Sequence, residues 1–418
     1  MATATRTTLL ENGLRVVTES NGSVSTAVGV WIEAGSRHEA RSHIGASHFL
    51  EHLVFKGTPS RSAFTIADDI EKLGGSINGF TTKECTCFHT RTLAQHVPIA
   101  LDVLADLVRR PSLRAEDIEI ERDVILQEIL DAEDSPEDFV HDFFLEQYWP
   151  GHPLGWPVLG TRDTIASLDR DVLAGFLRRS YRPDRMIVAA AGHIDHDGFV
   201  DQCRRHFVDM NGVTETAEAD RPDFRPGVFA AQRDIEQVHV VIGFPGISVT
   251  DPRREVAEVL VSALGGGMSS RLFQKVREER GLAYSIYAFQ SAFRDIGYTG
   301  IYAATSREHL TETVRLVLED VLSVAQNGLS ASELERSKSH LVGSIPLALE
   351  STESQMFRLA RNQMYFGREL TLDEVVRAIE EVSAEDIILL AREIFAFDRL
   401  GIALVGDADG DLVSLPAA

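Results

Sequence analysis

The sequence predicts an α+β protein of two homologous α/β-sandwich domains, each a mostly antiparallel sheet packed by helices. The first observation behind this is an internal echo. Asp184-Arg185-Met186-Ile187-Val188-Ala189-Ala190-Ala191-Gly192 is answered by Asp398-Arg399-Leu400-Gly401-Ile402-Ala403-Leu404-Val405-Gly406 at an offset of 214 residues. At the same offset Ile120-Glu121-Arg122 meets Leu334-Glu335-Arg336, and self-similarity at one period marks a duplicated unit. The second observation is the mixture of short strand-like and longer helix-like segments, with short turns between neighbouring strands that favour antiparallel pairing. The third is size: 418 residues, 44% hydrophobic and 25% charged, suffice for two ordinary globular cores. The expected division is residues 1–212, a linker over 213–231, and residues 232–418.

Taken in order, residues 6–20 read as strand, turn and strand, with Glu11-Asn12-Gly13 as the turn. Val28, Val30 and Ile32 share one face of a strand over 27–34. A polar loop over 35–42 leads into a helix that carries His48 and is closed by Gly57. Thr65 begins a short helix ending at Leu73, before Gly74-Gly75. Residues 76–80 and 84–92 read as two strands around Thr81-Thr82-Lys83, and 95–109 as an amphipathic helix ended near Pro111. A long helix over 115–132 has Ile118, Ile120, Val124, Ile125 and Ile129 among its apolar positions. Ser135-Pro136-Glu137-Asp138 is a fresh helix start, with a cap, proline at the first position and an acid at the third. Helix 169–179, strand 186–191 and helix 196–206 complete the first copy. Residues 211–231 lack periodicity and carry Pro222, Pro226 and many acids, which is why the linker is placed there. Val240, Ile242 and Phe244 then repeat the Val28 strand, slightly shifted.

The stretch with chemistry in it is His48-Phe49-Leu50-Glu51-His52. Histidines four apart project from one face of a helix and can hold one metal ion. Zinc takes imidazole nitrogen readily, and a catalytic site needs three protein ligands and an open position for water. Glu51 sits beside the pair as a general base without having to bind. The order His-x-x-Glu-His reverses the common His-Glu-x-x-His. A third ligand should be an acid on another element. Glu121 and Glu128, seven apart on the long helix, share a face, although as residues alone they read equally as a solvated helix face. At the offset of 214, His48, Glu51, His52 and Glu128 fall opposite Ser262, Gly265, Gly266 and Val342. The second copy therefore carries no metal set and can only assist the first.

A net charge of −23 argues against nucleic acid or an anionic membrane surface as partner and is compatible with attracting basic substrates. The stretch from Met1 to Thr8 has no apolar core of signal-peptide length, and no apolar run is long enough to span a bilayer. Cys85, Cys87 and Cys203 make no disulfide framework; the first two alternate on a strand as core-facing thiols. The expectation is a cytoplasmic protein without a membrane partner.

Across nearly its whole length the chain resembles the pitrilysin (insulinase-type) metallopeptidases, most of all the β-subunit of mitochondrial processing peptidase and its bacterial relatives. The likeness is carried by residues 48–58, 74–82 and 121–128 and by Leu264-Gly265-Gly266-Gly267-Met268-Ser269-Ser270-Arg271-Leu272-Phe273. The resemblance implies Zn2+ held by His48, His52 and Glu128, the last 76 residues beyond His52. It implies that Glu121 orients a ligand or water, and that two halves close on each other as a clamshell. Arg277 and Tyr284, in Arg277-Glu278-Glu279-Arg280-Gly281-Leu282-Ala283-Tyr284, match a pair that donates hydrogen bonds to the substrate carbonyl. Asn78, Gly79 and Phe80 match the edge strand on which substrate is held by β-augmentation. Asp138 and Asp142 match acids that hold a basic substrate side chain; Asp138 also fits a helix-cap role. The implied protein is a bacterial zinc-dependent metalloendopeptidase that cleaves enclosed peptides or unfolded, presequence-like polypeptides, favouring basic residues near the cut. A homodimer or a heterodimer with a related subunit is expected. The alternative is a non-catalytic scaffold or peptide-binding subunit, which would be expected to lose the ligands this chain retains.

Overall fold

The structure is a computed structural model and describes residues 4–210 and 221–412. The first copy runs β1 (Ala4–Leu9), β2 (Arg15–Ser20), β3 (Ser25–Ile32), α1 (Ala46–Val54), α2 (Ala63–Glu71), β4 (Ser76–Thr81) and β5 (Thr86–Leu93). It continues through α3 (Val97–Arg109), α4 (Ala115–Asp134), α5 (Pro136–Tyr148), α6 (Arg162–Ser167), α7 (Arg170–Ser180), β6 (Met186–Gly192) and α8 (His196–Phe207). The second runs β7 (Gly227–Gln232), β8 (Val238–Gly246), α9 (Arg254–Gly265), β9 (Ala283–Ala292), β10 (Gly297–Thr305) and α10 (Leu310–Asn327). It ends with α11 (Ala331–Ala348), α12 (Thr352–Phe366), α13 (Leu372–Glu381), α14 (Ala384–Ile394) and β11 (Gly401–Gly406). No helix among the described residues is long and apolar enough to cross a membrane.

The duplication is visible in the sheets. The first has the order β1-β2-β6-β3-β5-β4 and the second β7-β11-β8-β10-β9. In each, one pair is parallel, β2 with β6 and β7 with β11, and every other pair is antiparallel. The echoed segments around Met186 and Gly401 are thus equivalent central strands. Both are buried along their whole length, which explains why they read as unbroken apolar runs and not as alternation.

The chain divides into two compact units that do not follow the division expected from the sequence. One comprises Met1–Asp131, Trp156–Ala219 and Ala348–Glu369; the other comprises Ala132–Gly155, Asp220–Leu347 and Leu370–Ala418. Each copy therefore lends one helix to the other copy's sheet. In the first unit α1, α3, α7 and α8 cover one sheet face around Val28, Val30, Phe88 and Val188. The opposite face, with Ala27, Trp31, Ile187 and Ala189, is covered by Met356, Leu359 and Ala360 of α12. In the second unit α9, α10 and α14 cover one face, and Val140, Phe144 and Tyr148 of α5 cover the other over Val241, Tyr302 and Ala403.

One pair of glycines shows the physical requirement. Gly29 in β3 and Gly243 in β8 stand at the repeat offset, and a side chain at either would collide with the incoming helix, at Met356 and at the Phe144 ring respectively. Much of the expected linker, residues 213–220, lies outside the described residues. Its last part, 227–231, is not linker but most of β7, which pairs in parallel with β11. Composition hid this strand because it lies at the sheet margin with no fully buried position.

Candidate metal centre

The helix expected around His48 forms as α1, with Phe49, Leu50 and Leu53 buried and both histidines only partly so. On α4, Ile118, Glu121, Ile125 and Ile129 are buried, while Ile120 and Val124, two of the apolar positions read from the sequence, remain exposed. This face of α4 brings its acids to α1. Glu128 Oε2 lies 3.7 Å from His48 Nε2 and 3.6 Å from His52 Nε2. Among the described residues, these three form the one group of three or more His, Cys, Asp or Glu whose ligating atoms all lie within 4.8 Å of one another.

The donor set fits zinc. Two imidazole nitrogens and a carboxylate are ordinary zinc ligands, and zinc bonds of 2.0–2.1 Å in tetrahedral geometry place ligand atoms about 3.4 Å apart. The two distances from Glu128 Oε2 to the imidazole nitrogens, 3.7 and 3.6 Å, lie close to that value. The rings of His48 and His52 stand with centroids 4.7 Å apart, edge to face. Burial, with His52 nearby, pushes the His48 imidazole down to about 4, so it is neutral and can donate its lone pair. Glu121, 3% exposed, holds His52 from behind: its Oε2 is 3.0 Å from His52 Nδ1, and its other oxygen pairs with Lys56. That contact leaves Nε2 of His52 free to face Glu128, the arrangement that orients a metal-binding histidine.

Glu51 is part of the same centre. Burial raises its carboxyl above the ordinary range, while a hydrogen bond from Thr81 and the nearby His52 favour the carboxylate and Glu128 opposes it. Its Oε2 is buried with no hydrogen-bond partner, a free acceptor beside a metal-binding triad. Nothing in the sequence marks Lys56 or Thr81 as part of this centre. Lys56 is one turn beyond His52, but nothing in the sequence shows that Glu121 lies against it.

A family profile described as insulinase (peptidase family M16) matches residues 15–162, and one described as the peptidase M16 inactive domain matches residues 167–341. An uncharacterised zinc protease of Bacillus subtilis is 39% identical over 389 residues, 93% of this chain and 95% of that protein. Another, from Mycobacterium bovis, is 41% identical over 421 residues, 99% of this chain and 96% of that protein.

The chain belongs to peptidase family M16.

As an M16 member it is a metallopeptidase, and its cofactor is zinc. Its fold is shared with a peptidase M16 inactive domain from Pseudomonas fluorescens, at a TM-score of 0.91 and 19% identity over 97% of this chain and 98% of that one. A protease from Helicobacter pylori aligns at 0.90 and 20% identity, over 97% and 100%. The match of the second half to an inactive domain agrees with the absence of metal ligands opposite His48, Glu51, His52 and Glu128.

The remaining sequence-derived residues of this M16 chain fall as follows. β4 is an edge strand, paired with β5 alone among the described residues. Asn78 is exposed and its Oδ1 accepts from the Gly79 N–H at 2.9 Å. The Phe80 ring is partly buried and packs edge-on against Trp31 and Phe357, with centroids 5.4 and 5.6 Å away. Arg277 lies in a π-helical turn, Phe273–Glu278, and its guanidinium carbon stands 4.7 Å from the Phe273 ring centroid and 5.6 Å from that of Tyr284. Tyr284 is 74% exposed on β9, an edge strand of the second sheet. π-turns recur at functional sites. Asp138 and Asp142 are exposed on α5, in the second unit. The Asp138 N–H donates to Ser135 Oγ at 3.4 Å, so Ser135 is the N-cap and Asp138 the acid at the third helical position, as the spacing predicts.

Proposed function

We propose that this M16 chain is a zinc-dependent metalloendopeptidase that hydrolyses peptides and unfolded or presequence-like polypeptides at a centre made of His48, His52, Glu128 and Glu51. The observation that carries the reading is the convergence of His48 Nε2, His52 Nε2 and Glu128 Oε2 beside a buried, unpartnered oxygen of Glu51. Bound by the first three, zinc supplies a Lewis acid and lowers the pKa of a water to roughly 7.

Glu51 takes the proton of the attacking water and delivers one to the leaving amine. Its raised pKa brings the carboxyl closer to the operating pH, where proton transfer in both directions is efficient. Glu121 keeps His52 in the tautomer and orientation that ligation needs. The free edge of β4 offers main-chain groups to an extended peptide, which favours substrates without regular structure. Arg277 and Tyr284 are assigned as donors to the substrate carbonyl, where charge develops during attack. Asp138 and Asp142 are assigned to a basic side chain near the scissile bond. The protein is read as cytoplasmic, working as a homodimer or with a related subunit.

The test is Glu51→Gln. Zinc content should be unchanged and peptide hydrolysis should fall about 10²–10⁴-fold, the usual loss on removing a general base. Metal analysis and a peptide digest followed by mass spectrometry read the two quantities. Hydrolysis at the wild-type rate would overturn the assignment.

A further inference from the structure

We propose that Glu39 is a positioning residue for the metal helix: from outside α1 it caps the N-terminus of that helix and so sets the direction of His48 and His52. The inference rests on the zinc-centre reading above and adds to it a residue three-dimensionally behind the ligands.

The start of α1 cannot cap itself. Its N-cap is Gly45, with φ of +93° and no side chain to offer. Helix starts normally use Ser, Thr, Asp or Asn there, but a Cβ at Gly45 would lie 2.6 Å from Ile165 Cδ1 and 2.9 Å from both Gly160 Cα and Leu159 O. The amides at the helix start therefore need an acceptor from elsewhere. Glu39 is that acceptor: Oε2 takes the Gly45 N–H at 2.8 Å and Oε1 takes the Ser47 N–H at 2.6 Å. Both oxygens of one carboxylate are used, and Glu39 is only 5% exposed. Burial pushes the Glu39 carboxyl up to about 7, while the Ser47 and Gly45 amides pull it back toward the charged form; in that form its hydrogen bonds are short and strong and its charge complements the positive end of the helix dipole.

Two further features make this a matter of position and not only of stability. Ser47 directly precedes His48, so one of the fixed amides is adjacent to a ligand. The helix is nine residues long, too short to be rigid by itself, and all its functional residues lie in its first two turns. Glu39 is itself held. It ends a short turn whose Ser36 and Arg37 amides donate to Thr82 O and Lys83 O at 3.1 and 2.7 Å. The Arg37 guanidinium meets Glu84 at 2.8 Å with both side chains buried. The strap from Gly35 to Glu39 thus ties the start of the metal helix to the turn between β4 and β5.

The experiment measures zinc affinity of Glu39→Ala and Glu39→Gln by competition with a chromogenic chelator, using the full chain and zinc itself as probe. His48→Ala is the reference. Circular dichroism and gel filtration select folded protein. Supporting groups behind metal ligands typically contribute 10–100-fold in affinity, so Glu39→Ala should weaken zinc by about that factor. Glu39→Gln keeps one acceptor oxygen and should lose less. The d–d spectrum of the cobalt-loaded variants should shift, and kcat should fall more than KM rises, which loss of stability alone would not produce. Folded Glu39→Ala with wild-type zinc affinity overturns the inference. If Glu39→Ala does not fold, the isosteric Glu39→Gln decides, and wild-type affinity with an unchanged cobalt spectrum overturns it. Zinc retained by His48→Ala would instead overturn the ligand assignment; zinc lost there but kept by the Glu39 variants removes Glu39 alone.

Discussion

Replacing Glu121 tests whether the metal centre depends on groups that never touch the metal. Its carboxylate is almost fully buried, with Oε2 3.0 Å from His52 Nδ1 and the other oxygen paired with Lys56. Glu121→Ala removes the acceptor that fixes the His52 tautomer, and the ring becomes free to turn or to place its proton on Nε2, where it cannot bind. A hydrogen bond to a charged group contributes about 1.5–3 kcal/mol, which at 1.4 kcal/mol per tenfold is about 10–150-fold in zinc affinity. Glu121→Gln retains an acceptor oxygen but loses the charge, so its loss should be the smaller. Lys56 is about one-third exposed and can turn to water once its partner is gone, so the fold should survive. Chelator competition at equilibrium gives the zinc dissociation constant, and a melting curve of the zinc-free protein reports the fold. An unchanged dissociation constant in folded Glu121→Ala would refute the reasoning and leave Glu121 as no more than the partner of Lys56.

Tyr284→Phe and Arg277→Ala lie in the copy without metal ligands, yet each should lower turnover by about 10²–10³-fold if it acts as an oxyanion donor, with zinc content unchanged; steady-state kinetics with both variants fully active would confine the second copy to a structural role. Asp142→Asn should move the preferred position of a basic residue in a peptide-library digest read by mass spectrometry, and raised salt should slow capture of basic peptides in general because the net charge is −23. A profile that is the same in wild type and variant leaves Asp138 and Asp142 with structural roles only. The Arg271 guanidinium, 2.7 and 2.8 Å from Glu333, together with Ser330, holds the Glu333 carboxyl down to about 2 against an ordinary value of 4.5. Its folded pKa is depressed, so its contribution to stability is complete above about pH 4.5 and is lost as pH falls toward about 2. Acid unfolding followed by circular dichroism should show that slope in wild type and a shallower one in Glu333→Gln; identical slopes would remove the ion pair from the account.

What could be read from the sequence was whatever lies within one element or repeats along the chain. His48, Glu51 and His52 are legible because helix geometry alone puts residues four apart on one face; the same geometry puts Glu121 and Glu128 on one face, but only the family resemblance gives them a role at the metal. The cap at Ser135, the proline at Pro136 and the echo between Met186 and Leu400 are local patterns of the same kind, and the fold class followed from them. The tertiary structure decided the pairings across elements. The apolar side chains Val140, Phe144 and Tyr148 announce that α5 is buried on one face, but a helix pattern does not say against which sheet; Gly243 under Phe144, and Gly29 under Met356, show that each copy's helix fits the other copy's strand. In the metal centre, Glu128 meets His48 and His52 across 76 residues or more, Glu121 meets His52 across 69, and Glu39 reaches forward past a glycine that cannot cap its own helix. Such contacts depend on how separately formed elements pack, and a one-dimensional pattern carries the apolar face of each element but not the partner that covers it.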